Sequence, residues 1–221
     1  MSHGDGRPAV TVAVVDDHQV VLDGISAWVD SDPRNRLTLL GGGQRVDSVL
    51  AGPGRHAQVL VLDLSLFGES VISRIGELAE QRRVVAFSGD TKEATIRAAL
   101  DAGATAYLTK HERREQFIEA VVAAAVDRPY VTPSLARAML ADRSPGRPKL
   151  STQERRALLL WLRLPKKLNV ATEMNISVET VDQYISRARV KYAAVGRPAP
   201  NKAAMVARAI EDGLIRPEDV C

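Results

Sequence analysis

The 221-residue sequence predicts an α/β fold, a doubly wound parallel sheet of five strands, followed by a small all-α bundle. In the first half, short β-branched runs alternate with amphipathic stretches, which is the pattern of βαβ units. Two of these runs, VLVL at 59–62 and VVAF at 84–87, are apolar throughout, as expected when helices cover both faces of a sheet. The second half has no strand pattern and repeats apolar residues at helical spacing.

Five strands and five helices are expected to alternate over the first half. The strands are predicted at Val10–Val15, Leu37–Leu40, Val59–Leu62, Val84–Phe87 and Thr105–Leu108. The helices are predicted at Val20–Val29, Val46–Leu50, Val71–Leu78, Ala94–Ala102 and Phe117–Val126. This order also indicates where to look for a site, because ligands of doubly wound sheets bind at the carboxyl ends of the strands.

A proline-rich stretch separates the two halves. It contains a predicted short helix at 134–141 and a hinge, SPGRPK, at 144–149. The first helix beyond it opens with Ser151 or Thr152 followed by Glu154, which resembles a capping box. Four helices are predicted there, at 150–162, 168–174, 178–192 and 202–215. The expected organisation is a domain at 8–127, a linker at 128–148 and a second domain at 149–217.

The composition excludes several classes of protein. Hydrophobic residues make up 45% and charged residues 26% of the chain, as in ordinary soluble domains. A single cysteine, Cys221, excludes an internal disulfide and a cysteine-cluster metal site. The N-terminal residues lack the apolar core of a secretion signal, and no apolar run approaches the ~20 residues of a membrane span. We therefore expect a cytoplasmic protein without a membrane partner.

Charge is distributed unevenly along the chain. Residues 1–144 hold 16 Lys and Arg against 19 Asp and Glu, a net charge of −3. Residues 145–221 hold 14 against 8, a net charge of +6. A basic module joined to an acidic one indicates different partners for the two halves, with nucleic acid the candidate for the basic half.

Polar side chains stand at the ends of four predicted strands. The first strand ends in Asp16-Asp17, the third in Asp63, the fourth in Ser88 and the fifth in Thr109-Lys110. Carboxylates brought together repel one another unless a cation lies among them, and oxygen ligands without His or Cys favour Mg²⁺. A lysine and a hydroxyl beside them suit a phosphoryl group. Singly, Asp17 could be a helix cap and Lys110 a solvated lysine.

The segment at 10–126 resembles the receiver domain of two-component response regulators, which has a flavodoxin-like fold. The resemblance lies in VAVVDDH, VLVLDL, VVAFSGD and GATAYLTK. It implies that Asp63 accepts a phosphoryl group as an acyl phosphate. It also implies that Asp17 and Asp63 ligate Mg²⁺, with Asp16 acting largely through water and the Ser65 carbonyl contributing.

The same resemblance implies a conformational switch. Lys110 and Ser88 would bind the phosphoryl oxygens, and Tyr107 would turn inward when Ser88 moves.

The sequence departs from the family pattern at two positions, which concern the kinetics of phosphorylation and hydrolysis more than the chemistry. The phosphoacceptor loop reads DLSLFG, with Phe67 in place of the usual proline, and the residue after the lysine is His111.

The basic half contains a candidate DNA-reading helix. In ISVETVDQYISRARVKYAAVG, Ser177 caps a helix that has an apolar inner face and a polar outer face. Amide and guanidinium groups read base edges, while Lys and Arg neutralise phosphates. The candidate DNA-binding residues are Lys166, Lys167, Thr180, Asp182, Gln183, Arg187 and Lys191. The alternative is an ordinary helical bundle with a solvated charged face.

Residues 149–215 also resemble a family, the LuxR-type helix-turn-helix of NarL/FixJ-type regulators. RLPKKLN replaces the glycine-led loop, and Asp182 stands where the family often has a DNA-contacting lysine. An aspartate repels phosphate but can accept a hydrogen bond from cytosine N4, which implies an altered sequence preference. The resemblance implies a dimer through the last helix, with Met205, Ala209 and Asp212 as interface positions. The alternative is that Met205 and the alanines of this helix are ordinary core residues.

Together these features predict a transcriptional regulator activated by phosphorylation of Asp63, and not an enzyme. Its expected partners are double-stranded DNA, a sensor histidine kinase as phosphodonor, and a second copy of the chain when active. One alternative is a phosphorylation-independent DNA-binding regulator whose receiver serves for dimerisation or ligand sensing. The other is a Mg²⁺-dependent phosphatase, although the first half has no room for the lid that such enzymes usually carry.

Overall fold

The computed structural model describes residues 8–132, 135–136 and 146–220. The main sheet is built from β1 (Val10–Val15), β2 (Leu37–Gly43), β3 (Val59–Leu62), β6 (Arg83–Ser88) and β7 (Ala106–Thr109). All neighbouring strands are parallel, in the order β2-β1-β3-β6-β7. The predicted sheet is confirmed, and the bounds of its first and third strands agree with the prediction.

Helices pack on both faces of this sheet and form the whole of the C-terminal region. Those of the first region are α1 (Gln19–Asp30), α2 (Val46–Ala51), α3 (Ile75–Ala79), α4 (Glu93–Asp101) and α5 (Arg114–Ala125). Those of the second are α6 (Thr152–Arg163), α7 (Lys167–Met174), α8 (Val178–Ala194) and α9 (Lys202–Glu211). Within the described ranges no helix has the length and apolar character to cross a bilayer. The short helix predicted at 134–141 falls largely outside the described residues.

The strand side chains alternate between two apolar layers. Val12, Val61 and Phe87 point toward α1 and α5, where the Phe117 ring packs 5.7 Å from that of Phe87. The intervening residues point toward α2, α3 and α4, and this second layer continues into the helical region. Burial on both faces explains why β3 and β6 are apolar throughout.

A small hairpin follows β3, where the sequence predicted only a loop. Its strands are β4 (Ser65–Leu66) and β5 (Glu69–Ser70), joined by Phe67 and Gly68. Both joining residues have positive φ, +55° and +83°, as a type I′ turn requires. Proline, whose φ is fixed near −65°, cannot take the place of Phe67 in this turn. The replacement of the family's usual proline by Phe67 is therefore what allows this turn to form.

The helical region begins and turns as its sequence predicts. Ser151 Oγ accepts a hydrogen bond from the Glu154 amide, and the Ser151 amide donates to Glu154 Oε2 at 2.7 Å, which confirms the capping box. α7 ends at Asn175 in the left-handed conformation, and Ser177 caps α8 by accepting from the Thr180 amide. α7 and α8 form the two helices of the predicted helix-turn-helix.

A buried carboxylate fixes the start of β2. Asp32 accepts hydrogen bonds from the backbone amide and the guanidinium of Arg36 at 2.9–3.1 Å. The Arg36 hydrogen bonds hold the pKa of Asp32 at about 2, below its ordinary 3.8. Because the folded pKa is the lower one, the stabilisation is complete above about pH 4 and is lost as the pH falls toward 2.

We expect Asp32→Asn to lower the free energy of unfolding by about 2 kcal/mol at pH 7. At pH 3 the difference from wild type should shrink to roughly half, because part of the native contribution is already lost there. Urea denaturation at the two pH values measures both quantities. Asp47→Asn, which breaks an exposed pair with Arg74, is the control and should change little. An equal difference at both pH values would contradict this role of Asp32.

Candidate functional site

The carboxyl ends of β1, β3 and β7 meet in a charged pocket. Asp16 and Asp63 are buried, 1% and 4% exposed, and the Lys110 ammonium lies between them, 2.7 Å from an oxygen of each. Lys110 is therefore an internal cation of the pocket and not a solvated surface lysine.

The three charges of the pocket depend on one another. Burial raises the pKa of Asp63, and the Lys110 hydrogen bond and charge offset this only in part. Burial opposes the charge of Lys110, but its contacts with Asp16 and Asp63 outweigh that effect and raise its pKa. Lys110 stays protonated at neutral pH and pairs with two buried carboxylates at once, so the three groups together keep one negative charge.

Asp17 faces the pocket and does not cap α1, whose N-cap is His18. Its Oδ2 accepts a 2.7 Å hydrogen bond from the Phe67 amide, and its Oδ1 lies 2.8 Å from His18 Nδ1. Partial burial raises the pKa of Asp17, but the Phe67 amide and the His18 charge outweigh it and lower the pKa. His18 also contacts Asp16, and sequence reasoning missed this histidine although it follows the acidic pair directly.

The donor set of the pocket fits a cation. Single ligand atoms of Asp16, Asp17, His18 and Asp63 lie within 4.8 Å of one another. Asp16 Oδ2 lies 2.7 Å from the Lys110 ammonium and Asp17 Oδ1 lies 2.8 Å from His18 Nδ1, and these two buried oxygens are the ones that a bound cation would also contact. Ser65, the predicted carbonyl ligand, begins the hairpin beside the pocket and donates its amide to Asp63 Oδ1 at 3.3 Å.

Ser88 and Tyr107 are linked through one residue. Ser88 Oγ accepts a hydrogen bond from the Asp90 amide, and the Tyr107 hydroxyl donates to the Asp90 carbonyl at 2.6 Å. Burial raises the pKa of Tyr107 to about 12. The Tyr107 side chain is buried in this structure. It already occupies the inward position that the resemblance implies for the phosphorylated receiver.

The outer face of α8 is open to solvent. Asp182, Gln183 and Arg187 are exposed, whereas Val181 and Ile185 face the bundle interior. Thr180 is half-buried at the start of the helix. The structure therefore brings three of the predicted DNA-binding side chains together on one accessible helix face.

Two of the three lysines predicted to bind DNA form ion pairs within the helical bundle. Lys191 donates to Glu154 at 2.6 Å, and Lys167 pairs with Asp182, while Lys166 is exposed at the start of α7. Arg197, a further cation of the basic half, is buried against Asp212 and Glu211. Sequence spacing does not reveal this engagement, because the partners lie on other helices.

The predicted dimer positions lie inside the chain. Met205 and Ala209 are fully buried in the helical bundle. Asp212 is also buried, and its carboxylate accepts hydrogen bonds from the Tyr192 hydroxyl and from Arg197. In this conformation none of the three is accessible to a second chain.

Comparison with known proteins identifies related sequences over most of the chain. The response regulator receiver domain family matches residues 12–122. The transcriptional regulatory protein UhpA of Salmonella typhimurium is 29% identical over 173 residues, 78% of this chain and 86% of UhpA. The DNA-binding transcriptional activator DevR/DosR of Mycobacterium tuberculosis is 28% identical over 196 residues, 82% of this chain and 88% of DevR/DosR.

Solved structures share the fold across both regions. The response regulator ChrA of a heme-sensing two-component system is 27% identical, with a TM-score of 0.50, and covers 94% of this chain and 99% of its own. RcsB of Salmonella typhimurium has a TM-score of 0.54 at 20% identity and covers 90% of this chain and 98% of its own. The likeness to RcsB concerns the fold only.

Lys110→Met tests the charge balance of the pocket. Without the ammonium, two buried carboxylates lose their shared partner, and the free energy of unfolding should fall by about 3 kcal/mol. Added Mg²⁺ should restore more stability in the variant than in wild type, because the ion takes over the neutralisation. Thermal unfolding with and without Mg²⁺ measures both effects. Lys92→Met, at an exposed position, is the control. An equal loss of stability and an equal response to Mg²⁺ in the two variants would contradict the role of Lys110.

Proposed function

This chain belongs to the response regulator receiver family and is a transcriptional regulator of the NarL/FixJ type, and we propose that phosphorylation of Asp63 switches its binding to DNA. The observation that carries the proposal is the pair of buried carboxylates, Asp16 and Asp63, held by one lysine at the carboxyl edge of the sheet. UhpA and DevR/DosR, which match most of this chain, are transcriptional regulators and not enzymes, which argues against the phosphatase alternative.

The proposed reaction is a phosphoryl transfer to Asp63. A carboxylate oxygen of Asp63 attacks the phosphorus of a phosphohistidine on a sensor kinase. The new P–O bond forms as the P–N bond breaks, and the imidazole leaves with the bonding electrons and takes up a proton. Lys110, 2.7 Å from Asp63, is placed to pair with the added negative charge, and the Ser88 hydroxyl to donate a hydrogen bond to it.

We assign Mg²⁺ to the same pocket. Asp16, Asp17 and Asp63 would hold the ion, with Asp16 acting through water and the Ser65 carbonyl contributing. The ion would neutralise charge on the transferring group. The position of His18 makes it a neighbour of this site as well.

We propose that the two regions divide the work between a receiver at 8–127 and a DNA-binding domain at 149–217, joined by a linker at 128–148. The exposed face of α8 would enter the major groove. The candidate contacts are Lys166, Lys167, Thr180, Asp182, Gln183, Arg187 and Lys191. We further propose that the active form of this chain is a homodimer.

The phosphorylation-independent regulator is disfavoured by the pocket itself. A receiver kept only for dimerisation has no need of an ionised Lys110 between two buried carboxylates, because burying charges is costly. In this chain all the residues expected to transfer and bind a phosphoryl group are present, and Asp63, Ser88 and Lys110 stand at the ends of three adjacent strands.

Incubation with Mg²⁺ and acetyl phosphate tests the proposal. Intact-mass spectrometry should find one phosphoryl adduct on wild type and none on Asp63→Asn. The same treatment should raise the affinity of wild type, and not of the variant, for a DNA duplex. An adduct-free wild type, together with unchanged DNA binding, would favour the phosphorylation-independent regulator.

Asp182→Lys tests the proposed reading face. The change removes a carboxylate that pairs with Lys167, so it frees one cation and adds another on the exposed side of α8. Binding to a mixed-sequence duplex should tighten, and the slope of log K against log salt should steepen by about 1–2. Fluorescence anisotropy at several salt concentrations measures both. Unchanged affinity, salt slope and sequence preference would contradict a DNA-facing Asp182.

A further inference from the structure

The amino edge of the receiver sheet, opposite the phosphoacceptor pocket, carries a group of arginines. Arg55 stands shortly before β3, and Arg82 and Arg83 stand at the start of β6. Arg83 pairs in register with Val59 of β3, and the Arg82 guanidinium lies 3.3 Å from the Arg55 carbonyl. The three arginines therefore share one end of two adjacent strands, and we call them the basic rim.

The basic rim has no carboxylate partner within the described residues. None of its three guanidiniums forms an ion pair there, whereas Arg36, Arg74 and Arg97 of the same region each pair with a carboxylate. Residues 1–144 carry a net charge of −3, so the rim is a local concentration of positive charge in an acidic region. Such a surface attracts an anion from outside the chain.

Hydrogen bonds within the rim hold two of the guanidiniums in place. Arg82 Nη1 donates to the carbonyls of Gly54 and Arg55 at 3.5 and 3.3 Å. Arg55 Nε donates to His56 Nε2 at 2.9 Å. Arg55 and Arg83 are exposed, so their terminal N–H groups can reach a ligand in solvent. The planar fork of N–H donors in a guanidinium matches the oxygens of a phosphate.

The helical region adjoins the same edge of the sheet. Extending the β6–β7 register by two residues places Arg83 beside Ala104, on the neighbouring strand. Asn201, the N-cap of α9, donates from Nδ2 to the Ala104 carbonyl at 2.9 Å. Arg208 of α9 binds Asp101, the last residue of α4, through both carboxylate oxygens at 2.7 and 2.8 Å. These contacts hold the helical region next to the basic rim.

A candidate phosphate contact of the helical region lies close to this junction. Lys202, the residue after Asn201, donates from Nζ to the Leu164 carbonyl at 3.1 Å. Leu164 stands two residues before Lys166, which is exposed at the N-cap of α7. A short path of contacts therefore joins Lys166 to Arg83, and the rim continues the basic surface of the helical region onto the receiver.

We propose that the basic rim is a second DNA-contacting surface of this chain, which binds backbone phosphates beside the half-site read by α8. The proposal rests on the proposed function and adds a receiver surface to the contacts predicted on the helical region. Contacts to phosphates carry no base information, so the rim raises the affinity for DNA of any sequence. It acts in the arrangement of the two regions described here and needs no phosphoryl group on Asp63.

The composition of the rim favours a duplex over an acidic protein. Protein interfaces usually have an apolar centre with aromatic side chains. Within the described residues, none of the exposed large apolar side chains belongs to the segments 52–58 and 79–83 that carry the rim. Fixed cations without apolar neighbours suit a ligand that is bound by charge alone, and a duplex presents regularly spaced phosphates along its length.

The double variant Arg55→Ala/Arg83→Ala tests the rim in the unmodified full chain. Arg82 is kept, because its hydrogen bonds hold the backbone at Gly54 and Arg55. The affinity for a mixed-sequence duplex at low salt should fall about tenfold, and the slope of log K against log salt should become shallower by about 1–2. Fluorescence anisotropy at several salt concentrations measures both.

Two control variants make the result specific. Arg45→Ala/Arg113→Ala removes the same charge from exposed positions near the carboxyl edge of the sheet and should change little. Arg187→Ala, on the outer face of α8, should weaken binding if that helix contacts DNA. If Arg187→Ala weakens binding while the rim variant keeps wild-type affinity and salt slope, the rim proposal is overturned and the proposed function stands. If neither variant weakens binding, both fail.

Photo-cross-linking locates the contact. In a Cys221→Ser background, an aryl azide attached to Arg55→Cys should cross-link to the duplex, and one attached to Arg45→Cys should not. Equal cross-linking from both positions would overturn the proposal. So would a rim variant that keeps its affinity for the duplex and loses affinity for poly-glutamate or for vesicles of anionic lipid, because the rim would then serve a different polyanion.

Discussion

The ion pairs of one ammonium with two buried carboxylates are the interaction on which the rest of the structure depends. Lys110 stands at the end of the last strand and reaches Asp16 and Asp63 on two others. The parallel order of the sheet is what brings these strand ends together, and the fully apolar β3 is what keeps Asp63 out of water. Asp63, a buried nucleophile beside the Lys110 ammonium, is well placed to accept a phosphoryl group. The phosphoryl group adds negative charge to a buried pocket, so the surrounding groups must rearrange to accommodate it.

The elements that would respond to such a charge are those around the pocket. Ser88 and Tyr107 both bind the backbone of Asp90, just before α4, and α4 carries the contacts to α9. The Phe67 amide ties the β4–β5 hairpin to Asp17 on the opposite side. Both connections are hydrogen bonds to backbone atoms of short loops, which can change partner without disturbing the apolar layers of the sheet.

Local pattern was sufficient for most of the fold. β1 and β3 were predicted with their observed bounds, because burial on both faces leaves a continuous apolar run. The β4–β5 hairpin was not predicted, since a phenylalanine with positive φ gives no signal in composition or spacing. The pocket residues were predicted because strand ends converge by topology. Arg208 and Asp101 were missed because their contact depends on how the two regions pack.

The central claim, that phosphorylation of Asp63 in the receiver is transmitted to the helical region, is tested most directly by a distance between the two regions of one chain. Spin labels at Glu80→Cys in the receiver and Ala193→Cys on α8, both exposed, allow this measurement in a Cys221→Ser background diluted with unlabelled protein. After treatment with Mg²⁺ and acetyl phosphate, double electron–electron resonance should show a shifted or broadened distance distribution in wild type and no change in Asp63→Asn. An identical distribution before and after stoichiometric phosphorylation would contradict the account.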